Sequence, residues 1–241
     1  LLDQDFIKKR TTNFAELKHV VSSYTPESVS LVCGIESDVI REAARLYATA
    51  ERSMIFWGMG ISQHVHGTDN ARSLISLALL TGNIGQPGTG IHPLRGQNNV
   101  QGASDAGLIP MVYPDYQPVT DKNVQQKFET TWDTPLNPKL GLTVTEILQA
   151  AEKKEVTGLY IMGENPAMSD PDLNHARHSL AQLQHLVVQD IFFTETASFA
   201  DVILPASAFP EKTGTFTNTD RRVQLGRAAV PTPDDAKQDI E

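Results

Sequence analysis

The stretch that decides the fold begins with GLYIMGENP at residues 158–166, a short apolar run followed at once by a polar loop. HLVVQD (185–190) and DVILP (201–205) repeat the apolar run. Residues 144–154 and 171–184, which precede the first two runs, place apolar side chains at helical spacing. Near-continuous apolar strands that alternate with helices favour a parallel sheet covered on both faces. This part of the chain therefore predicts an α/β fold.

A second strand–loop–helix unit begins earlier in the chain. Residues 54–57 (MIFW) predict a short strand that runs into Gly58-Met59-Gly60, and residues 69–81 predict the helix that follows. Residues 82–120 are rich in Gly, Asn, Gln and Pro, so we expect them to lack regular structure. Amphipathic spacing predicts further scaffold helices at residues 13–24 and 38–50.

Length and charge narrow the class of protein. A chain of 241 residues accommodates one large domain or two small ones with a buried core. Its 29 acidic and 20 basic side chains give a net charge of −9, which does not suit a nucleic-acid binder or a protein that docks on an anionic membrane. No run approaches the roughly 18 apolar residues that a membrane span requires.

Cys33 is the one cysteine of the chain, which excludes an intramolecular disulfide and an iron–sulfur cluster built from this chain alone. Because it ends the apolar stretch VSLVC (29–33), we expect a buried structural thiol rather than a nucleophile. His64 and His66 form an H-x-H pair with no second pair of ligands nearby. We therefore expect hydrogen-bonded or solvent-facing rings there and no metal site.

The segment RGQNNVQGASDAG (95–107) combines one cation, four side-chain amides and three glycines. Amides carry a donor and an acceptor together, which suits the edge of a heterocycle such as a pterin or guanine. The guanidinium of Arg95 matches a carboxylate with two parallel hydrogen bonds. A loop whose amides satisfy its own backbone, with Arg95 in a structural ion pair, explains the composition equally well.

Polar residues follow the predicted strands at their carboxyl ends, where ligands bind in sheets of this type. Gly163-Glu164-Asn165 follows the first strand of the later unit, and Asp190 ends the second. A carboxylate there accepts two hydrogen bonds from a guanine edge. Each composition is also common in turns, so only the combination suggests a nucleotide pocket. Residues 213–222 suit either a phosphate or a partner surface.

Five segments together resemble one family, the molybdopterin oxidoreductases, and within it the catalytic subunits of molybdenum- or tungsten-dependent formate dehydrogenases. The most specific of them is the RGQNNVQG string in its TGNIG context. The resemblance covers essentially the whole chain. Its segments are WGMGISQ (57–63), LLTGNIGQPGTGIHPLRGQNNVQGASDAG (79–107), YIMGENP (160–166), VVQDIFFTETASFADVILPA (187–206) and EKTGTFTNTDRR (211–222).

The resemblance implies αβα sandwiches with mainly parallel, Rossmann-like sheets, as in the formate dehydrogenase/DMSO reductase fold. It implies that residues 1–97 are the later half of one α/β domain that binds a pterin dinucleotide, and that residues 98–208 are a second such domain. Residues 209–241 would return toward an iron–sulfur domain. The implied cofactor is bis-(molybdopterin guanine dinucleotide) with molybdenum or tungsten, and no metal ligand is expected within the chain.

The resemblance also implies roles for individual residues. Arg95 is similar to the active-site arginine that orients formate next to the metal. The implied cofactor contacts are Met59 and Gln63 at the first switch loop, Gln97 behind Arg95, and Gly163, Glu164, Asn165, Gln189, Asp190, Ile191 and Asp239 at the nucleotide-binding edge of the second domain.

The implied reaction is the oxidation of formate to carbon dioxide, with two electrons leaving through a 4Fe-4S cluster that lies outside this chain. We expect a piece of a longer polypeptide that is inactive by itself, with electron-transfer subunits as partners and a cytoplasmic location. Two alternatives stay open. One is an enzyme of the same superfamily that acts on nitrate or another oxyanion, and the other is a non-catalytic subunit of the complex I type.

Overall fold

The computed structural model describes residues 1–233 and 235–241, which separate into two units, Leu1–Gly96 and Gln97–Glu241. The first unit consists mainly of helices and contains one small sheet. In chain order its elements are α1 (Gln4–Arg10), α2 (Phe14–Val21), α3 (Pro26–Cys33), α4 (Ser37–Thr49), β1 (Met54–Trp57), α5 (Met59–Ser62), α6 (Gly67–Leu80) and β2 (Gly90–Pro93).

The sheet of the first unit is a parallel pair. β1 lies beside β2 in register, with Met54 opposite Gly90 and Trp57 opposite Pro93. Parallel strands require a crossover connection, and α5 and α6 supply it. The predicted strand at residues 54–57 is confirmed.

Helix α3 corrects the prediction for Cys33. The helix begins after Thr25, whose hydroxyl oxygen accepts a hydrogen bond from the backbone N–H of Ser28, three residues further on, and Pro26 lies in the first turn. Because each helical residue rotates by about 100°, consecutive apolar residues cannot all face one core. Leu31 is 91% exposed and Cys33 is exposed as well, so the expectation of a buried thiol is wrong.

The second unit carries the longer α/β stretch. The part of the chain that the structure describes contains no helix long and apolar enough to cross a membrane. In chain order the elements of the unit are α7 (Val100–Asp105), β3 (Val112–Tyr113), β4 (Gln117–Pro118), α8 (Lys122–Trp132), α9 (Val144–Glu152), β5 (Gly158–Met162), α10 (Pro166–Ser169), α11 (Leu173–Leu180), β6 (His185–Asp190), β7 (Val202–Pro205), β8 (Gly214–Thr217) and β9 (Val223–Gly226).

A three-stranded parallel sheet with the order β5-β6-β7 forms the centre of the second unit. All three strands were predicted from their apolar runs, and the parallel pairing confirms the α/β class. Helices α9, α10 and α11 cover one face, where Ile161, Leu186 and Val188 pack with Leu148 and Leu180 in a single buried cluster. Burial of these side chains supplies the main apolar contribution to the unit.

The other face of this sheet differs from the expectation of cover on both sides. Tyr160 is 51% exposed and Met162 is 54% exposed, while Ile161 between them is buried. Successive side chains of a strand point to opposite faces, so these exposures belong to one uncovered face. The described residues supply helices to the first face only.

Residues 82–120 contain more regular structure than their composition indicates. They include β2, α7 and the antiparallel pair of β3 and β4. Tyr113 from this stretch stacks on Phe128 of α8 with ring centroids 4.8 Å apart, and Val119 joins the same cluster. These contacts are long-range, which is why local composition did not reveal them.

Candidate functional site

The carboxyl ends of β5, β6 and β7 meet at one edge of the sheet, and the C-terminal tail is added to that edge. Ala206 forms a parallel bridge with Lys237. The Ser207 N–H donates to the Lys237 carbonyl at 2.9 Å, and the Lys237 N–H donates to the Pro205 carbonyl at 3.1 Å. The tail therefore runs beside the end of β7 and brings Asp239 to the sheet.

Four side chains form a continuous hydrogen-bonded chain at this edge. The Nε2 of Gln189, a residue only 7% exposed, donates to Oδ1 of Asp239 at 2.9 Å. Lys212 forms an ion pair with the other carboxylate oxygen of Asp239, and the Tyr160 hydroxyl donates to Oε1 of Gln189. The chain joins the predicted residues Gln189 and Asp239 and adds Lys212 and Tyr160, which sequence reasoning did not single out.

The carboxylate of Asp190 accepts hydrogen bonds from the loop that follows it. Its Oδ1 accepts from the backbone N–H of Ile191 at 2.6 Å and, more weakly, from Phe192 at 3.4 Å. A carboxylate has two oxygens, and Oδ2 has no hydrogen bond among the residues that the structure describes. One carboxylate oxygen thus shapes the turn after β6, and the other is free to accept from a ligand.

Asn165 ties the loop after β5 to the loop after β6. Its Oδ1 accepts from the N–H of Thr196 at 3.1 Å and from the Thr196 hydroxyl at 2.7 Å. Its Nδ2 donates to Oε2 of Glu195 at 2.8 Å. This hydrogen bond is the largest of the causes that hold the pKa of Glu195 below its ordinary value. The amide of Asn165 is engaged inside the fold, so its part at the edge is to hold the loops.

Gly163 and Glu164 complete the turn after β5. Gly163 has φ +63°, a left-handed conformation that glycine adopts without strain, and its N–H donates to the Gln189 carbonyl at 2.8 Å. Glu164 accepts from the Ser169 hydroxyl at 3.0 Å. At Gly163 the turn therefore presents backbone without a Cβ to a cavity at this edge.

A cavity of about 700 Å³ opens at this edge, within the second unit. Ligand pockets commonly measure about 300–1,000 Å³. Ser207 lies on its wall with 1% exposure, and among the described residues its hydroxyl has no hydrogen-bond partner. A polar ligand would satisfy that hydroxyl. The lining includes Asn98, Gly163, Ile191, Ser207, Lys212 and Asp239.

The four amides of the 95–107 segment divide into two groups. Asn99 binds β8 with its side-chain amide, and Gln101 donates to Asp105 at 2.8 Å. The side chains of Gln97 and Asn98 make no hydrogen bond to any residue that the structure describes, and both are exposed. Two of the four amides are therefore engaged within the fold, and two are exposed to solvent.

In the first unit, Met59, Gln63 and Arg95 follow the ends of the two parallel strands. The Leu94 N–H donates to the Trp57 carbonyl at 2.7 Å, which extends the β1–β2 pairing up to the residue before Arg95. Arg95 is exposed, and it forms no ion pair within the described part of the chain. Met59 begins α5 and is 45% exposed, and Gln63 directly follows that helix. Ligand-accessible side chains thus stand at adjacent strand ends.

The histidine pair behaves as a local feature. The Nε2 of His64 lies 2.6 Å from the Gly60 carbonyl oxygen. His66 precedes α6 and makes no hydrogen bond with its ring to the described residues. Among residues 1–233 and 235–241, no group of three His, Cys, Asp or Glu side chains is placed to hold a metal ion.

The sequence of residues 9–241 matches the profile of the family described as Molybdopterin oxidoreductase. The chain belongs to the molybdopterin oxidoreductase family. It is 52% identical to the F420-dependent formate dehydrogenase subunit alpha of Methanocaldococcus jannaschii over 99% of this chain and 35% of that protein. It is 45% identical to formate dehydrogenase H of Escherichia coli over 99% of this chain and 34% of that protein. The chain thus spans about a third of the length of these relatives.

This molybdopterin oxidoreductase chain also resembles a solved structure. Acetylene hydratase from Pelobacter acetylenicus superposes with a TM-score of 0.72 at 18% identity, over 99% of this chain and 36% of that one. At this level of identity the likeness concerns the fold alone, and it agrees with the α/β class of both units. Family membership implies a molybdopterin cofactor, and the cavity with its orphaned buried hydroxyl fits a large polar ligand of that kind.

Proposed function

We propose that the full-length protein is a formate dehydrogenase that oxidises formate to carbon dioxide. The observation that carries this proposal is the similarity to formate dehydrogenases over 99% of the chain, which includes the RGQNNVQG segment with Arg95. The chain corresponds to about a third of those relatives. The activity is therefore proposed for the full-length protein, and the isolated 241 residues are expected to be inactive.

The proposed cofactor is bis-(molybdopterin guanine dinucleotide) with molybdenum or tungsten. It would be bound by residues 1–97, as the later half of one dinucleotide-binding domain, and by residues 98–208, as a second such domain. Residues 209–241 would lead toward an iron–sulfur domain. Met59 and Gln63 would contact one pterin dinucleotide, with Gln97 at a pterin. Gly163, Glu164, Asn165, Gln189, Asp190, Ile191 and Asp239 would form the edge that holds the other nucleotide. When bound, the metal centre accepts the two electrons of the reaction.

Within that edge, the carboxylates could accept hydrogen bonds from a guanine base, and the turn at Gly163 would allow a ligand to approach the backbone closely. A guanine presents adjacent N–H groups, which can donate charge-assisted hydrogen bonds to a carboxylate such as that of Asp239 or Asp190. Gly163 lets a ligand approach the backbone because no Cβ intervenes. Asn165 would act by holding the two loops in place through Thr196 and Glu195.

Arg95 would bind the formate carboxylate and take no part in proton transfer. Its guanidinium stays charged at working pH and offers a planar fork of donors that matches a carboxylate. Oxidation of formate yields carbon dioxide, a proton and two electrons, so the negative charge that Arg95 binds disappears in the product. A neutral product is bound weakly by a cation, which favours release.

The proposed partners are the remaining domains of the full-length protein and electron-transfer subunits. The relatives named "subunit alpha" belong to assemblies of several subunits. A single exposed cysteine cannot build a 4Fe-4S cluster, so the cluster would be held outside this chain. The proposed location is the cytoplasm.

The test is formate-dependent reduction of a viologen dye by the metal-loaded full-length protein, with nitrate reduction assayed in parallel. Turnover with formate and none with nitrate supports the proposal, together with two guanine nucleotides released per metal atom. Turnover with nitrate alone would contradict the proposal and would indicate an oxyanion reductase instead. A purified protein without metal or guanine nucleotide would support a non-catalytic subunit instead.

A further inference from the structure

Asn99 contacts the free edge of β8 through its side-chain amide. Its Nδ2 donates to the Thr215 carbonyl at 3.0 Å, and its Oδ1 accepts from the Thr217 N–H at 2.9 Å. One amide therefore bridges the carbonyl and the N–H on either side of Phe216. In a parallel sheet, one residue of the neighbouring strand bridges two such groups. The Asn99 side chain thus caps an edge that β9, paired on the opposite side of β8, leaves open.

The backbone conformation at Asn99 and the glycine at position 102 are both compatible with this contact to β8. Asn99 precedes α7 with φ 59° and ψ 20°, a left-handed conformation that asparagine tolerates better than most residues. A Cβ added at Gly102 would lie 2.1 Å from the Asn99 Oδ1 and 2.9 Å from its Cγ. No side chain can therefore occupy position 102 while Asn99 binds β8. The position of the Asn99 side chain thus requires glycine at position 102, and we call this steric dependence of Asn99 and Gly102 the interlock.

We propose that Asn99 is a positioning residue, whose amide fixes the segment Arg95–Asn98 so that Gln97 and Asn98 face their ligand. The inference rests on the proposed function. Asn98 lines the 700 Å³ cavity beside Asn99. Neither Gln97 nor Asn98 is held by a side-chain hydrogen bond to the described residues, so Asn99 supplies the side-chain anchor of the chain that precedes α7.

Asn13 provides a matched control. It is also the residue before a helix, with φ 60° and ψ 24°, and its side chain makes no hydrogen bond to the described residues. Glycine accepts these dihedral angles without strain, so Asn13→Gly and Asn99→Gly change the backbone preference alike. Only Asn99→Gly removes an amide bridge.

The expected result concerns full-length protein that carries its normal metal content. Asn99→Gly raises the KM for formate about tenfold, the effect of losing one to two net hydrogen bonds that hold the segment. Asn13→Gly leaves the KM unchanged. A KM for Asn99→Gly equal to that of the wild type overturns the positioning role.

A double-mutant cycle with Gly102→Ala tests the interlock. Gly102→Ala is expected to raise the KM and lower the unfolding midpoint in the wild-type background, because its Cβ displaces the Asn99 side chain. In the Asn99→Gly background the same change finds no clashing side chain and adds little. Fully additive effects on the unfolding midpoint would overturn the inference.

These readouts separate the inference from the proposed function. A wild-type protein without formate turnover refutes the proposed function, and the unfolding cycle still measures the interlock. In that case the guanine nucleotide retained after gel filtration replaces the KM. Less nucleotide in Asn99→Gly than in Asn13→Gly supports the positioning role, and equal retention overturns it.

Discussion

Thr196→Val removes a hydroxyl that connects the loop after β5 with the loop after β6, while it preserves the side-chain shape. Thr196 is completely buried. Its Oγ1 accepts from the Ala167 N–H at 3.0 Å and donates to Oδ1 of Asn165 at 2.7 Å. Valine fills the same space but makes neither hydrogen bond.

The magnitude follows from what each lost bond leaves behind. Ala167 is also completely buried, so its N–H would stay without a partner, at a cost of about 1–3 kcal/mol. The lost bond to Asn165 adds about 1 kcal/mol, partly offset because the Thr196 N–H still donates to that oxygen at 3.1 Å. We therefore expect local destabilisation of about 2–3 kcal/mol, which corresponds to an opening equilibrium about 30- to 150-fold larger.

Amide hydrogen exchange of the segment 163–170, followed by mass spectrometry, measures that opening directly. Thr68→Val is the control, because Thr68 is exposed and its hydroxyl has no hydrogen bond in the described part of the chain. Unchanged exchange of segment 163–170 in Thr196→Val would refute the account of how the edge is held. Equal acceleration in both variants would attribute the effect to the Thr-to-Val change itself.

Three further predictions concern the same unit. Asp239→Asn removes the charge that pairs with Lys212, so we expect lower guanine nucleotide content in the purified full-length protein, and full content would contradict a role for the carboxylate. Asn165→Ala raises the pKa of Glu195 toward its ordinary value, as measured by NMR titration of its carboxyl group. Since the folded-state pKa is lowered, the stability contributed by that hydrogen bond is present above the unfolded pKa and is lost as the pH falls through the folded one, so the variant's destabilisation should shrink in acid. Leu186→Ala, at a site only 1% exposed, should cost about 2–5 kcal/mol in chemical unfolding, and a cost below about 1 kcal/mol would show that the cluster is not closely packed.

The elements that sequence reasoning predicted well are those with a local cause. The strand at residues 158–162 is an apolar run that ends at Gly163, and both bounds follow from neighbouring residues. The helix predicted at residues 38–50 likewise has a local cause, and the structure places it at Ser37–Thr49. Periodicity also placed the polar residues at the strand ends, because alternation of strands and helices fixes where those ends meet.

The contacts that were missed depend on residues far apart in the chain. Asp239 reaches Gln189 because the tail pairs beside β7, and Lys212 enters the same group from a different loop. Asn99 reaches β8 across more than a hundred residues. No local pattern encodes such pairings, and composition alone predicted a lack of regular structure where α7 forms. The prediction of a buried thiol at Cys33 was wrong for a related reason, since apolar residues that are neighbours in sequence do not share one face of a helix.

The full-length protein with Arg95 replaced tests the central claim most directly. The steady-state kcat/KM for formate is measured in Arg95→Ala and Arg95→Lys, with Arg10→Ala as an exposed control, and the metal content of each is determined. Loss of a charge-assisted bidentate contact worth about 1.5–3 kcal/mol lowers kcat/KM about 10- to 150-fold. We predict that loss for Arg95→Ala, a partial loss for Arg95→Lys and unchanged metal content in all variants. Wild-type kcat/KM in a fully loaded Arg95→Ala protein would contradict it.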